Sequence, residues 1–515
     1  MSFIPGNDDG RDFHGVWAAP LSGRPTSRRR RQQPALMEDR VFYRTGAVVP
    51  APPEGCRRPA SLAPAPFSPI ANLMIRAHLS RFTGMEKVFS LVACAALISF
   101  PILLLTYPSA ANAGFSFLLL WCVLALAVQP RASLCAWGTM LREHWAVAAA
   151  MAALPAAFLL RQVVSGDGMD LPYLYLRFAL FGLLAWGLAL LDRRALQAVQ
   201  WGLVVGAIVS AIWIYTATAG GRPDHVGINN IIPFSNLSLL MGMLAMISIG
   251  WDRRGQWLSM APKLLAGAAG VYTSYASATR GGWLAIPVLL LIAITIMRKW
   301  TIRARAALLA VLVGGMAVAG YCSDVVRKRV NEAVANLNAA VSSPGIDAAV
   351  VTHRGLDTSE GWRLQLWKAS LRMLETHPMT GVGPDAFEAN LKAMAASGII
   401  TPATTQFAHS HNDVLYIAAT QGIPGVLAVL ALYLVPAGFF LRHLRSRDMV
   451  TRTAATMGLA ISIGFLLFGL TEAMFFIAMT NAFYTLMIAT CFAIVVAQRE
   501  APELPARPGA RAVAA

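Results

Sequence analysis

Apolar residues in this chain fall in long blocks, and the charged residues collect in the links between them. Measured against the roughly 20 apolar residues needed to cross a hydrocarbon layer, about twelve blocks qualify. They cover 88–106, 113–128, 145–160, 174–191, 199–217, 232–250, 262–277, 282–297, 306–321, 422–441, 457–470 and 475–497. Lipid offers a backbone no hydrogen-bond partners, so each block is predicted to be helical. The expected fold is all-α: a polytopic integral membrane protein of about 12 transmembrane helices with one large, partly helical loop on its exoplasmic side.

The chain then divides into a basic tail over 1–73, helices over 74–321, the large loop over 322–421, three more helices over 422–497 and a short tail over 498–515. The first tail is rich in Pro, Arg and Gly and lacks sustained apolar periodicity, so it is expected to be disordered. Its charged stretch is too long for a signal peptide. Met74 and Met85 are alternative starts ahead of the first block.

Orientation follows from the cations. Alternate links carry Arg131 and Arg142, then Arg193 and Arg194, then Arg253, Arg254 and Lys263, then Arg298, Lys299, Arg303 and Arg305, and finally Arg442, Arg445, Arg447 and Arg452. These are expected to be cytoplasmic, and an even number of spans puts both tails on that side. The links 107–112, 165–170 and 472–474 are short and poor in cations, so they belong opposite.

Composition narrows the class further. Of 515 residues, 56% are hydrophobic and 13% charged, about half the charge of an ordinary soluble domain. A net charge of +17 raises nucleic acid as a partner, but the cations sit where topology needs them, and no nucleic acid is expected. The six cysteines show no short paired spacing, so neither a disulfide framework nor a zinc site is indicated.

One link is out of scale. From Cys322 to His411 it runs about ninety residues where a connection needs a handful, and such loops are usually functional. Segments 324–340 and 361–375 read as helices, the second from the spacing of Trp362, Leu366, Ala369 and Met373. A short helix over 412–420 is broken by Gly422-Ile423-Pro424-Gly425 before the next span.

Three places on the exoplasmic side could carry chemistry. Thr279-Arg280-Gly281-Gly282-Trp283 joins two spans by a tight turn whose glycines let backbone approach a ligand; an arginine snorkelling to headgroups is the alternative. On the 361–375 helix Arg363 and Trp367 share a face, Lys368 is rotated away, and Arg372 lies two and a half turns on; a solvated face is the alternative. His411, in Ala408-His409-Ser410-His411-Asn412-Asp413, is suited to accept a hydroxyl proton near neutral pH. His409 and His411 could instead chelate a metal, but no familiar ligand spacing completes a site. Arginine suits a diphosphate, because its planar fork bonds two oxygens and keeps its charge.

The stretch from Arg363 through Trp367-Lys368-Ala369-Ser370-Leu371 to His377-Pro378-Met379-Thr380-Gly381-Val382-Gly383-Pro384-Asp385-Ala386-Phe387 resembles the signature loop of the O-antigen ligase and polymerase superfamily, although it lacks the pattern's Tyr. His411-Asn412 through Leu415, Gln421-Gly422 and Pro424-Gly425 continue the likeness, and the Arg280 turn is similar to the family's short arginine turn. The resemblance spans Arg280 to Leu427; earlier helices match only in hydropathy. It implies a membrane glycosyltransferase of the bacterial inner membrane, acting at the periplasmic face on a glycan carried by undecaprenyl diphosphate. One large loop and an early end after the last span favour the ligase, whose acceptor is lipid A-core.

On that basis His411 is expected to be the base and Arg280 and Arg363 the diphosphate ligands, with no metal or cofactor and inversion at the anomeric carbon. Arg372, Lys368, His409, Asn412 and Trp362 are expected to contact substrate, and Trp362 and Trp367 either to stack on sugar or to pack the loop. Asp413 could orient His411. Asp385, Glu388 and Asp413 are carboxylates that a retaining route would draw on. A transporter or flippase would suit about twelve spans equally, although such proteins often show repeated halves that are not evident here.

Overall fold

The computed structural model describes residues 85–497 apart from 108, 129, 167–172, 219–224, 227–228, 253–255, 295–300 and 323–356, with Asn331 the one described residue in the last gap. The expectations for 1–73, 324–340 and 498–515 lie outside the described residues.

The first helices are α1 Met85–Leu104, α2 Ala110–Val128, α3 Pro130–Glu143, α4 Trp145–Ser165, α5 Tyr173–Ala179, α6 Phe181–Leu188 and α7 Arg193–Gln197. They are followed by α8 Val199–Ala217, α9 Ile231–Ile247, α10 Trp257–Ala276, α11 Arg280–Ile294 and α12 Ile302–Cys322. The long link contributes α13 Ser359–Thr376 and α14 Pro384–Ala396, and the chain closes with α15 Asp413–His443, α16 Met449–Gly469 and α17 Ala478–Val496. A two-residue antiparallel pair, His225–Val226 with Asn229–Asn230, is the one sheet among the described residues.

Each of the twelve apolar runs is predominantly helical. Seven described helices are long and apolar enough to cross a membrane, and Val88–Leu104 and Gly281–Ile294 are apolar but shorter. The run at 174–191 is bent rather than straight: helix lapses at Leu180, yet its N–H still bonds Leu176 and its carbonyl still accepts from Leu184. Backbone groups thus stay satisfied through the bend, as an apolar setting requires.

Helices α9 and α17 are buried on nearly every face, as expected of helices apolar all round. Small residues let α9 and α10 meet backbone to backbone, since a Cβ on Gly242 would strike Ala266 and Gly270, and one on Gly270 would strike Ser238 and Leu239. Close approach of this kind substitutes for the hydrophobic drive that lipid cannot supply.

Three of the cation-bearing links gather at one end of the helices. Arg193 pairs with Asp448 at 2.9 Å and donates to the Ile494 carbonyl, while the Trp251 indole donates to Val450. Lys263, fully buried, donates to Asp252 at 2.7 Å, to Gln200 at 2.6 Å and to the Ser248 carbonyl. Removing one member of a buried pair leaves the other charge uncompensated, at about 3–5 kcal/mol. Lys263→Met should therefore lower stability by about that much in detergent thermal unfolding, and adding Asp252→Asn should restore most of the loss; equal losses in both variants would show that packing, not pairing, holds this end.

Candidate active site

The opposite end of the bundle holds His411. Its backbone lies in the left-handed region, φ 50, at a cost of roughly 1–2 kcal/mol for a residue with a Cβ. Strain of this kind persists where surrounding bonds over-determine it. The His411 N–H donates to His409 Nδ1 at 3.2 Å, the Ser410 hydroxyl donates to the Asn412 carbonyl, and the Ser410 carbonyl accepts the Trp367 indole N–H at 3.1 Å.

The next two residues fasten this bend to the α16–α17 link. Asn412 caps α15, its Oδ1 accepting from Leu415 and its Nδ2 donating to the Leu470 carbonyl, each at 3.0 Å. Asp413 accepts from the Tyr433 hydroxyl at 2.6 Å and from the Phe475 N–H at 2.9 Å. Both side chains expected to touch substrate or the histidine are thus occupied in holding two elements together.

That clamp brings Glu472 beneath His411. The imidazole Nδ1 lies 3.0 Å from each carboxylate oxygen, and Glu472 is 2% exposed. Burial pushes its carboxyl upward, but the hydrogen bond from His411 and the electrostatic pull of its neighbours, Arg363 among them, outweigh burial, and the net shift is downward from the usual value. An ionised carboxylate only accepts, so Nδ1 is the donor in this contact.

His409 is held neutral at physiological pH. Burial lowers it to about 4, with Glu472 pulling it up and His411 pushing it further down. Its exposed value is near 6.5, so it binds a proton less readily folded than unfolded. It takes nothing from stability above that value and drains stability as pH falls from about 6.5 toward 4.

His409, His411 and Glu472 offer three donor atoms within 4.8 Å of one another, a set that could suit zinc. The hydrogen bonds argue otherwise. Ligation through His409 Nε2 would place a proton on Nδ1, facing the His411 N–H that now donates to it, so two donors would oppose each other.

Aromatic rings wall the pair: Phe407 lies edge-on to His411 at 5.2 Å, Phe476 lies 4.9 Å from His409, and Trp362 lies 5.5 Å from Phe407. The two tryptophans therefore pack the loop. Arg363 lies in the first turn of α13, which is capped by Thr358 accepting from Gly361. Its Nη1 donates to Ser359 at 3.1 Å, and its charge acts on Glu472. Its Nε is buried and has no hydrogen-bond partner among the described residues.

Helical geometry does not bring every expected cation to this point. Arg363 and Trp367 occupy the edge of α13 turned to His411, whereas Lys368 and Arg372 fall on the other edge, roughly 140–180° around. Asp385 and Glu388 are exposed on α14. Arg280 opens α11, and the structure describes its backbone only. A Cβ on Gly281 would strike Thr471, and one on Gly282 would strike Asn236 and Ser274. Those glycines thus seat the arginine turn beside the residue preceding Glu472, rather than opening backbone to a ligand.

The signature loop is sewn to the α15 kink. Val382 and Gly383 donate to the Ala419 and Thr420 carbonyls, Ile423 donates to Pro378, and Gly381 and Gly422 both take positive φ. Arg161 of α4 donates to the Thr380 carbonyl at 3.1 Å. Glu472 and Arg161 had escaped the sequence reading: one lies in a link notable only for lacking cations, the other at the margin of an apolar run.

Residues 265–430 match the family model described as O-Antigen ligase. That stretch contains Arg280, Arg363 and His411 and ends before Glu472. A protein of Haemophilus influenzae described as uncharacterized is 22% identical over 312 residues, covering 59% of this chain and 74% of the relative. The sharpest motifs, assembled around one histidine, lie inside the matched segment, and it is this segment that is similar to the O-antigen ligase family.

Proposed function

We propose that this protein is an O-antigen ligase, transferring glycan from undecaprenyl diphosphate to lipid A-core oligosaccharide. The observation that carries the reading is a buried guanidinium N–H on Arg363 that has no hydrogen-bond partner among the described residues and whose charge reaches the carboxylate bound to His411. A buried donor without an acceptor is costly, and a diphosphate oxygen is the acceptor this chemistry supplies. The protein crosses the inner membrane in about twelve spans, with both tails cytoplasmic and His411 facing the periplasm.

In this mechanism His411 Nε2 accepts the proton of an acceptor sugar hydroxyl as that oxygen bonds to the anomeric carbon. The bond from that carbon to the diphosphate breaks, and undecaprenyl diphosphate departs with the electron pair. Arg363 and Arg280 neutralise charge that grows along this coordinate, so they stabilise the transition state more than bound substrate. One displacement with one base inverts the anomeric centre. Asp413 is occupied by Tyr433 and Phe475 and Glu472 by His411, which leaves the buried carboxylates engaged elsewhere than as nucleophiles.

A polymerase of the same superfamily is the second reading, and a flippase is disfavoured because the site's charged groups cluster at one end of the helices. Purified protein given lipid-linked glycan and lipid A-core should produce the mass of the joined product. Given the lipid-linked glycan alone, it should not lengthen it, and lengthening would make it a polymerase. EDTA should leave the ligation rate unchanged, while Arg363→Gln should lower it by about 10²–10³-fold, as for loss of one transition-state donor. Loss of activity to EDTA, restored by zinc, would transfer the chemistry to a metal.

A further inference from the structure

We propose that Glu472 is the positioning residue that fixes the ring proton of His411 on Nδ1 and counterbalances the imidazolium formed during transfer. The proposal rests on His411 being the base. It adds a residue that lies outside the matched segment, 61 positions after His411 in the chain.

The geometry supplies both halves of the role. Two oxygens at 3.0 Å from one nitrogen leave the ring little choice of face, since a flipped imidazole would turn a carbon toward a buried charge. With Nδ1–H directed at the carboxylate, the lone pair of Nε2 is the group left for an incoming hydroxyl. Once Nε2 has taken that proton, the ring is a cation, and the same carboxylate sits against it with little water to screen the pair.

Glu472 is itself held by the fold. Its Oε1 accepts from the Ala473 N–H at 3.2 Å, and its neighbours are tied to α15 through Asn412 and Asp413. The charged and titratable groups around the ring are Glu472 on the α16–α17 link, His409 on the same loop, Arg363 on α13 reaching the site through Glu472, and Asp413 at the start of α15. Of these, Glu472 alone contacts Nδ1. Arg363 therefore has two neighbours of opposite role, the carboxylate behind the base and the diphosphate in front.

The decisive variant is Glu472→Gln in the full-length protein, because an amide can either accept from Nδ1 or donate to it. Ligation at saturating substrates should fall by about 10²–10⁴-fold, the range seen when a histidine base loses its orienting carboxylate, with KM little changed. Glu472→Asp should recover part of the rate. Nitrogen-15 spectra of histidine-labelled protein should place the proton of His411 on Nδ1 in the wild type and move it toward Nε2 in the glutamine variant.

Wild-type activity and an unmoved His411 signal in Glu472→Gln would overturn the assignment. If that variant fails to fold, the wild-type spectrum still decides, since a proton resident on Nε2 is incompatible with the proposal. A fully active His411→Ala protein would instead refute the base itself, which keeps the two failures separate.

Discussion

His411→Ala should abolish measurable glycan ligation, a loss of about 10²–10⁴-fold from the base alone, while the protein remains folded and inserted. The fold is expected to survive because the anchors of the bend are elsewhere: Asn412 caps α15 and reaches Leu470, and Asp413 bonds Tyr433 and Phe475. Alanine also carries a Cβ and bears the same left-handed cost, while the N–H bond to His409 is made by backbone and remains available to hold the bend. Thermal unfolding close to wild type together with lost ligation is the expected pair of results. Ligation at the wild-type rate would remove His411 from the chemistry, and a collapsed melting curve would show the ring to be structural.

The second large effect concerns Gly381. Its φ is 62, and a Cβ there would fall on the backbone of Thr420 and Gln421. Left-handed backbone costs a residue bearing a Cβ about 1–2 kcal/mol, and overpacking against rigid neighbours adds about 1–3 kcal/mol. Gly381→Ala should therefore destabilise the docked loop by about 2–5 kcal/mol on those two counts. It should undo the ladder in which Val382 and Gly383 donate to Ala419 and Thr420. Hydrogen exchange would register it as loss of protection at Val382, Gly383 and Ile423. Unchanged protection at those amides would show that the loop is held by other contacts.

Much of the helical framework could be read from hydropathy, because a membrane span must be both apolar and hydrogen-bonded within itself. Gly422 was equally legible as a break, since a helix that meets Gly-Ile-Pro-Gly has little means of continuing straight, and its φ of 65 and ψ of −161 mark the kink. Arg363 and His411 stood out as a cation and an imidazole in a loop otherwise short of both. The partner of His411 could not be found this way. Glu472 lies in a tight three-dimensional turn with no period to betray it, and sequence proximity drew attention to Asp413, whose carboxylate faces Tyr433 instead.

Asn412 and the two glycines after Arg280 illustrate the same limit from the other side. Each has a chemistry that fits a ligand, and each is used to bring protein segments together: Asn412 as a helix cap, Gly281 against Thr471 and Gly282 against Asn236 and Ser274. Residue type alone does not distinguish a group that meets substrate from one that meets the chain.

The clamp of Asn412 and Asp413 onto Leu470 and Phe475 has an evolutionary corollary. The imidazole proposed to accept the proton is bolted to the helical bundle through residues 412 and 413, so selection on its placement would fall on those anchors and on the α16–α17 link as well as on the ring itself.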